Sequence, residues 1–529
     1  MPLLVRNLVL EPGSDERLLV EGVLSRLSIK HDQVTGWRIV RKGVDARNKQ
    51  RIKVVYTIEL SVQDEASLPP GIGSDPSVEL VSPLAAPVFR SVRSAKRILI
   101  AGFGPAGIFA GLRLAEYGLA PVILERGSPM ETRVADVQRF WKTGLLDVAS
   151  NVQFGEGGAG TFSDGKLTTR VRDENIGYVL TQLVRFGAPD EILWLAKPHI
   201  GTDRLRAVVV GIRGHLAERG IPIRFNSRLS DIQLADGGMG SVVINDETEE
   251  RCDILVLAPG HSARDTYRML HARGVRVERK PFSIGFRVEH PQELINSIQY
   301  GRPEVPGLPP AEYSLAWNNR STGRSAYSFC MCPGGMVVAG SSEAEGVVTN
   351  GMSNYRRNEQ FANSALVVNV GSEDFGGDSP LAGMEFQRHW EHAAFVAGGR
   401  DYRAPAQNMM SFLGFKGAPD PVSSYRPGVV AADLSRVVPP YVAETLREGL
   451  ASFGRKMRGF VTAEATLTGV ETRTSAPLRI VRNDDLQSVN VKGLYPAGEG
   501  AGYAGGIMSA ALDGIRVADA IAAQLQLDC

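Results

Sequence analysis

The chain has 529 residues, of which 43% are hydrophobic and 22% are charged, and its formal net charge is +1. This length is too great for one compact core, and the composition excludes a disordered protein. The near-zero charge excludes a whole-molecule field that would recruit DNA or an acidic membrane.

Residues 1–63 are predicted to form a small α+β domain. LLVRNLVL and IKVVYTIELSV are typical of strands, and the segment between them has helical spacing. The first apolar stretch is interrupted by Arg6 and is too short for a secretory signal, and no apolar run reaches the length of a membrane span. We therefore expect a cytoplasmic protein without a membrane partner.

A group of basic residues surrounds a predicted turn in this domain. Its members are Arg38, Arg41, Lys42, Arg47, Lys49, Arg51 and Lys53. A basic turn can contact RNA, but a solvated loop is the commoner arrangement, so nucleic acid is not the expected partner. Residues 64–96 are rich in Pro, Gly and Ser and are predicted to be a linker.

At Arg97 the pattern changes to alternating strands and helices. ILIAG and PVILERG are predicted parallel strands, joined by a helix over PAGIFAGLRLAEYG. Gly102, Gly104 and Gly107 form a G-x-G-x-x-G motif, which permits a tight turn, close approach to a pyrophosphate and close helix packing. Glu125 ends the second strand at the offset where a carboxylate reaches ribose hydroxyls. The motif predicts a dinucleotide, either NAD or FAD.

Further glycine-rich turns favour FAD over NAD. They are Gly155, Gly157, Gly158 and Gly160; Ala258-Pro259-Gly260; and Gly498, Glu499, Gly500, Gly505 and Gly506 near the C-terminus. A larger dinucleotide held from two chain segments accounts for this second glycine turn and helix. We predict an α/β fold in which a Rossmann-type FAD-binding domain is split into 97–285 and 459–529. A β-rich α+β substrate domain, residues 286–458, is inserted between the halves.

The chain resembles the two-dinucleotide-type flavoproteins that include fumarate reductase. More narrowly, it resembles a bacterial family of FAD-dependent, or NAD(FAD)-utilising, dehydrogenases. The segments that carry the likeness are AGFGPAG with Glu125, SNVQFGEGGAGTFSDGKL, KPHIGTDRL, FCMCPGG, GVETRTSAPLRI and GLYPAGEGAGYAGGIMSAALDGIRVAD. They cover the chain from about Arg97 to its end. The resemblance implies FAD and a redox role, and it implies no particular substrate.

The resemblance also implies which residues bind the cofactor. Gly102, Gly104, Pro105, Ala106 and Gly107 would hold the pyrophosphate, Glu125 the ribose, Arg126 the adenosine, and Leu229 the adenine through its backbone. Gly498 and Glu499 would meet the ribityl–phosphate region, and Gly506 and Ile507 the flavin pyrimidine edge. Gly158 and Gly260, in the other glycine turns, complete the predicted cofactor set. No metal ligand set is predicted.

Three residues are candidates for catalysis. His199 is the main acid/base candidate because imidazole titrates near neutrality, although a histidine that caps or bridges two elements is the favoured interpretation. Arg473 could hold a substrate carboxylate, or it could form a structural salt bridge to Glu471 or another acid. Lys166, in the glycine-rich segment after Glu125, is the third candidate.

Cys330 and Cys332 form a Cys-x-Cys pair. A dithiol near a flavin suggests disulfide chemistry. In an extended strand, however, residues i and i+2 are about 6.5 Å apart, near the outer limit for a disulfide. We therefore favour two packed thiols.

Together these features predict an FAD-dependent oxidoreductase, a dehydrogenase or reductase that moves hydride between flavin and a small-molecule substrate. There is no second G-x-G-x-x-G motif set between a strand and a helix, so a separate NAD(P)H domain is not expected. If NADH or NADPH reduces the flavin, it would act as a transient electron donor at the substrate face. The alternatives are a flavin monooxygenase and a flavin-containing RNA-binding or RNA-modifying protein. Oligomeric state is left open.

Overall fold

A computed structural model of the chain describes residues 2–63, 68, 72, 75–82 and 88–527. Its N-terminal unit contains β1 (Leu3–Leu10), α1 (Arg17–Leu27), β2 (Val34–Asp45), β3 (Lys53–Val62) and β4 (Val78–Leu80). The strands form an antiparallel sheet in the order β2-β3-β1-β4. Alternate residues of β3 are buried, and they share one core with the apolar face of α1, as period-2 and helical patterns require.

Two predictions for this region need correction. Arg38, Arg41 and Lys42 lie within β2 rather than in a turn, because the strand extends to Asp45. Three of the basic side chains form ion pairs, Arg38 with Glu59, Lys42 with Glu16 and Arg47 with Asp45. The predicted linker contains β4, which pairs with β1, while residues 64–67, 69–71, 73–74 and 83–87 of it lie outside the described residues.

The next unit is built on a five-stranded parallel sheet. Its first part comprises β5 (Ile98–Ala101), α2 (Pro105–Glu116), β6 (Val122–Leu124), α3 (Met130–Thr143), α4 (Ile176–Arg185), α5 (Thr202–Glu218) and β7 (Ile223–Arg224). A three-stranded antiparallel sheet follows, formed by β8 (Leu229–Ala235), β9 (Gly238–Ile244) and β10 (Thr248–Arg251). Then come β11 (Ile254–Leu257), α6 (Arg264–Ala272) and β12 (Val277–Arg279).

An inserted unit forms an eight-stranded sheet. Its elements are β13 (Phe282–Pro291), α7 (Gln292–Tyr300), β14 (Ala316–Asn318), β15 (Ser325–Ala339), β16 (Thr349–Met352), β17 (Phe361–Val370), α8 (Ala382–Ala397), β18 (Ala404–Asn408), α9 (Met409–Phe412), β19 (Val429–Ala431), α10 (Pro440–Lys456) and β20 (Thr466–Glu471). The strand order is β14-β15-β17-β13-β20-β18-β19, with β16 paired to β15. This sheet runs from Phe282 to Glu471, so it begins before the predicted boundary at 286 and ends beyond 458.

The chain then returns to the parallel sheet. The final elements are β21 (Leu478–Ile480), which pairs with β12, β22 (Leu494–Pro496) and α11 (Ile507–Leu527). β22 joins β11, giving the order β22-β11-β5-β6-β7 with every pair parallel. The prediction of a mixed α/β fold is confirmed.

α11 packs closely along α2. At their crossing, a Cβ on Gly514 would lie 2.1 Å from the carbonyl oxygen of Ala106, so only a glycine permits this approach. The contact brings the N-termini of α2 and α11 to the same edge of the sheet. None of the helices that the structure describes is long and apolar enough to cross a membrane.

Candidate functional site

The carboxyl ends of four parallel strands open into one cavity. β5 runs into Gly102, β6 into Glu125, β11 into Pro259 and Gly260, and β22 into Glu499, and all of these residues line the cavity. β5 has the next strand of the chain, β6, on one side and β11 on the other. Open parallel sheets bind ligands at such a reversal of strand order. The cavity volume of about 390 Å³ is in the range of small-molecule sites.

The N-terminus of α2 forms one wall of this cavity. Gly102 has a φ of +108°, and a Cβ there would lie 2.1 Å from the carbonyl oxygen of Ala258, so the turn requires glycine. Gly104 precedes the helix, Pro105 is its first residue, and no side chain in the described residues caps this end. The uncapped N–H groups and the helix dipole suit a phosphate group.

A second glycine loop faces the first. A Cβ on Gly158, whose φ is +65°, would lie 3.0 Å from the Cα of Gly104. The carboxylate of Glu125 fixes this arrangement, because it accepts hydrogen bonds from the N–H groups of Phe103 (2.8 Å), Gly127 (3.0 Å) and Gly155 (2.9 Å). Glu125 thus joins the turns after β5 and β6 to the glycine loop, while it lines the cavity.

The C-terminal segment closes the cavity from another side. Gly505, Gly506 and Ile507 line it at the start of α11. A Cβ on Gly160 would lie 3.0 Å from Cγ1 of Ile507, so this glycine lets the helix approach. Burial raises the pKa of Glu499 to about 7, against the opposing charge of Lys280. Glu499 can therefore donate as well as accept hydrogen bonds near neutral pH.

Most of the predicted cofactor residues meet in this cavity. They are Gly102, Gly104, Pro105, Ala106, Glu125, Arg126, Gly158, Leu229, Gly260, Glu499, Gly506 and Ile507. Gly107 and Gly498 do not line it. A Cβ on Gly107 would lie 1.9 Å from the carbonyl oxygen of Gly102, and one on Gly498 would lie 2.7 Å from Cβ of Ala106, so both are packing glycines.

His199 lies outside the cavity lining. Its ring stacks on Tyr355 at 5.7 Å between centroids, and its Nε2 donates to the Tyr355 carbonyl oxygen (3.0 Å). Burial lowers the pKa of His199, which favours the neutral ring. In the structure His199 thus bridges two elements outside the cavity lining, and a catalytic role for it stays a prediction.

Arg473 lines the cavity but is not free to bind a carboxylate of a substrate. Its guanidinium forms a two-point ion pair with Glu391 (3.0 and 2.9 Å) and donates to Ser342 Oγ. Glu471, the partner considered from the sequence, is instead paired with Arg287, with two contacts of 2.9 Å. Both ion pairs are buried and hold the walls in place.

Lys166 remains the candidate with an available charge. It lines the cavity, and within the described part of the chain its ammonium has neither a hydrogen bond nor an ion pair. Nearby Asp164 also lines the cavity, but Arg357 holds its carboxylate in a two-point ion pair. Lys166 is thus suited to hold an anionic or carbonyl oxygen.

Sequence reasoning missed several polar residues of the lining, among them His261, Ser262, Gln153 and Asn350. His261 Nε2 donates to the carbonyl oxygen of Arg473 (3.0 Å), and burial followed by the charge of Arg473 lowers its pKa to about 4. The sequence could have indicated two of these lining residues, because His261 and Ser262 are the first polar residues after the turn that ends β11.

The two cysteines differ in their surroundings. Cys332 is fully buried, whereas Cys330 lines the cavity, so the prediction of two packed thiols holds for only one of them. Both are free cysteines. The described residues contain no group of three or more His, Cys, Asp or Glu side chains placed to hold a metal ion.

These residues fit a dinucleotide such as FAD. Side chains at Gly104 or Gly158 would occupy the space between two glycine loops, and two helix N-termini point at that space. Glu125, Arg126 and Leu229 line the cavity from the strands beyond α2, where an adenosine half would lie, and Glu499 and Ile507 line it from the C-terminal segment. The residues that fit the cofactor therefore come from both sequence segments of the parallel-sheet unit.

Comparison with known proteins agrees with this fit. Residues 281–474 match the family described as "FAD-dependent protein, C-terminal domain-like", and residues 2–61 match a domain of unknown function. Solved structures resembling the chain include CtdE in complex with FAD (10% identity, 83% of this chain and 88% of that chain covered, TM-score 0.34). Another is the flavin-dependent brominase Bmp2 (12% identity, 82% and 79% covered, TM-score 0.36). These scores are too low to add to the argument.

A relative from Clostridium beijerinckii, named only as an uncharacterized protein, is 45% identical over 532 residues, with all of both chains covered. Identity of this extent over full length is characteristic of one family. The chain therefore belongs to the same family as this Clostridium beijerinckii protein, and with its match to the FAD-dependent domain over residues 281–474, FAD is its cofactor.

Proposed function

We propose that the protein is an FAD-dependent oxidoreductase, a dehydrogenase or reductase that moves hydride between the flavin and a small substrate. The observation that carries this proposal is that one cavity is lined by two units. Gly104 and Glu499 belong to the parallel sheet, whereas Phe329 and Asn350 belong to the eight-stranded sheet of the inserted unit. A second wall opposite the cofactor cradle provides a place for a substrate.

Bound FAD supplies two-electron redox chemistry at its isoalloxazine ring. The protein supplies orientation and charge. Lys166 would hold a negatively charged or carbonyl oxygen of the substrate, since within the described residues its ammonium forms no hydrogen bond or ion pair and it lines the cavity. Arg473 and Glu471, each held in a buried ion pair, would keep the wall rigid rather than react. Placement of the chain in the fumarate-reductase-like subgroup stays a prediction.

The test is anaerobic reduction of the purified holoprotein by NADH or NADPH, followed through loss of flavin absorbance. Lys166→Met should raise the half-saturating nicotinamide concentration by roughly ten- to a hundredfold, the value of one charge-assisted hydrogen bond. Its FAD content should not change. Lys416→Met is the matched control, because that lysine is exposed and lies outside the cavity lining, and we expect no effect.

Two results would contradict the proposal. If neither nicotinamide reduces the flavin, the predicted electron donor is wrong. If turnover strictly requires oxygen and yields a hydroxylated product, the enzyme is a monooxygenase rather than a dehydrogenase or reductase.

A further inference from the structure

The strand that carries the two cysteines is irregular at that point. β15 pairs with β17 at Phe329–Ala365 and next at Cys332–Asn363, so three steps along β15 oppose two steps along β17. This is a β-bulge of one extra residue, a feature that redirects side chains and often lies beside functional sites. Cys330 is in the bulge with a φ of +45°, a left-handed conformation that is uncommon for a residue other than glycine.

The bulge changes the geometry of the Cys-x-Cys pair. In a regular strand the Cα atoms of the two cysteines would be about 6.5 Å apart, but the left-handed backbone at Cys330 turns the chain between them. Cys332 Sγ donates to the carbonyl oxygen of Cys330 at 3.4 Å. The extra residue therefore brings the Cys332 thiol back against Cys330.

The two thiols have an unequal exposure that suits exchange chemistry. Cys330 lines the same cavity as the glycine loops and the start of α11, and Cys332 lies behind it with no exposed surface. One thiol can thus be reached from the cavity, while the other can only react with its neighbour. Cys252, the third cysteine of the described residues, is buried away from this cavity lining.

Positive charge also surrounds the accessible thiol. Arg287 Nη1 donates to the carbonyl oxygen of Cys330 (2.8 Å), and the cavity carries the unpaired ammonium of Lys166. The neighbouring Cys332 thiol, and then the charges of Arg287 and Lys166, lower the pKa of Cys330 against the effect of burial. Its partner Cys332 has a raised pKa. A thiolate at Cys330 is the reactive form for thiol–disulfide chemistry.

We propose that Cys330 and Cys332 are a redox-active pair that interconverts between dithiol and disulfide at the wall of the FAD cavity. Oxidation breaks two S–H bonds, forms one S–S bond and releases two protons and two electrons, which oxidised FAD accepts. The reverse transfer from reduced FAD returns the dithiol. The proposal rests on FAD in this cavity and not on the identity of the substrate.

The first test needs no turnover. The holoprotein is equilibrated anaerobically in glutathione buffers of graded ratio, quenched in acid, denatured and alkylated, and the peptide that contains both cysteines is weighed. We expect Cys330 and Cys332 to lose and regain their alkyl labels together in one reversible transition, while Cys252 stays alkylated throughout. Full alkylation of the pair in the most oxidising buffer would overturn the proposal.

The second test counts electrons. Holoprotein preoxidised with ferricyanide, which supplies no thiol for a mixed disulfide, and then freed of the oxidant is titrated anaerobically with dithionite, and the reducing equivalents are expressed per FAD. The unmodified protein should take up twice as many as Cys332→Ser, because a disulfide and a flavin each accept two electrons. Cys252→Ser should match the unmodified protein. Equal uptake by Cys332→Ser and the unmodified protein would overturn the proposal.

Cys330→Ser provides the second variant in case Cys332→Ser does not fold, since its side chain faces the cavity rather than the core. It should show the same halved uptake. If the cysteine pair takes up no electrons, the proposed function can still hold, because reduction by NADH or NADPH is followed through the flavin absorbance alone.

Discussion

Gly104 lies against Gly158 in the cavity wall, and the backbone conformation of Gly104 does not itself require a glycine. Its φ is −87°, and a Cβ would meet only the Gly158 Cα, at 3.7 Å. A side chain there fills the cradle without straining the turn. We expect Gly104→Val to give a folded protein with little bound FAD, measured as the ratio of flavin to protein absorbance.

The matched control for this variant is Gly36→Val. Gly36 lies on β2, and a Cβ there has no atom within 4 Å. We expect full FAD content and unchanged circular dichroism. If Gly104→Val also kept its flavin, the pyrophosphate would have to lie away from this helix terminus.

Some site residues could be predicted from sequence because their role is encoded locally. The spacing of Gly102 and Gly104 fixes a turn, and Glu125 ends the following strand, so the motif alone places them at one edge. His199 and Arg473 could not be assigned in this way. Their partners, Tyr355 and Glu391, are distant in sequence, and only the fold shows that these partners occupy them.

The crossing of α2 and α11 determines where the N-termini of these two helices lie at the cavity. Gly514→Ala would place a Cβ 2.1 Å from the Ala106 carbonyl oxygen, so the helices must move apart. We expect a loss of about 1–3 kcal/mol of unfolding free energy, the range for overpacking, and weaker FAD binding because both helix N-termini shift. Urea unfolding and FAD titration of the apoprotein measure the two effects.

Gly214→Ala is the control for that prediction. Gly214 lies in α5, and a Cβ there meets no atom within 4 Å. Because alanine is the better helix former, we expect a gain of up to about 1 kcal/mol and no change in FAD affinity. Similar behaviour of the two variants would mean that the crossing does not position the site.

Element types were easier to predict than the sheets to which the elements belong. The βαβ pattern after Arg97 required parallel neighbours, and β5 and β6 are such neighbours. For Thr466–Glu471, the predicted boundary at 459 placed the segment in the second half of the FAD-binding domain. Its pairing with β13 and β18 places it in the inserted unit rather than in the returning Rossmann segment.

At the scale of the whole molecule, a buried ion-pair network ties the two units together. Glu391 on α8 pairs with Arg264 at the start of α6 and with Arg473 after β20, and all three are nearly inaccessible to solvent. Glu343 adds a second carboxylate to Arg264. The network spans the parallel-sheet unit and the inserted unit beside the cavity wall, so the relative position of the two walls depends on it.

Glu391→Gln should therefore destabilise the whole molecule. It leaves two buried guanidinium groups short of one carboxylate, and loss of one partner of a buried pair costs about 3–5 kcal/mol. Glu385→Gln is the control, because its pair with Arg268 joins the same two helices but is about half exposed. We expect a cost below about 1 kcal/mol for this exposed pair. Equal costs would show that the network does not couple the units.

The pH dependence of the unfolding free energy tests whether the lost charge of Glu391 causes this destabilisation. Burial alone would raise the pKa of Glu391, but the charges of Arg264 and Arg473 outweigh it and hold the pKa well below its usual value of 4.5. A carboxylate with a lowered pKa in the folded state stabilises the protein above its unfolded pKa, and this stabilisation is lost as the pH falls towards the folded value. The difference in unfolding free energy between the unmodified protein and Glu391→Gln should therefore be complete at neutral pH. It should narrow progressively below about pH 4.5 in urea unfolding. A constant difference down to the acid limit would mean that the variant acts through packing rather than through the lost charge.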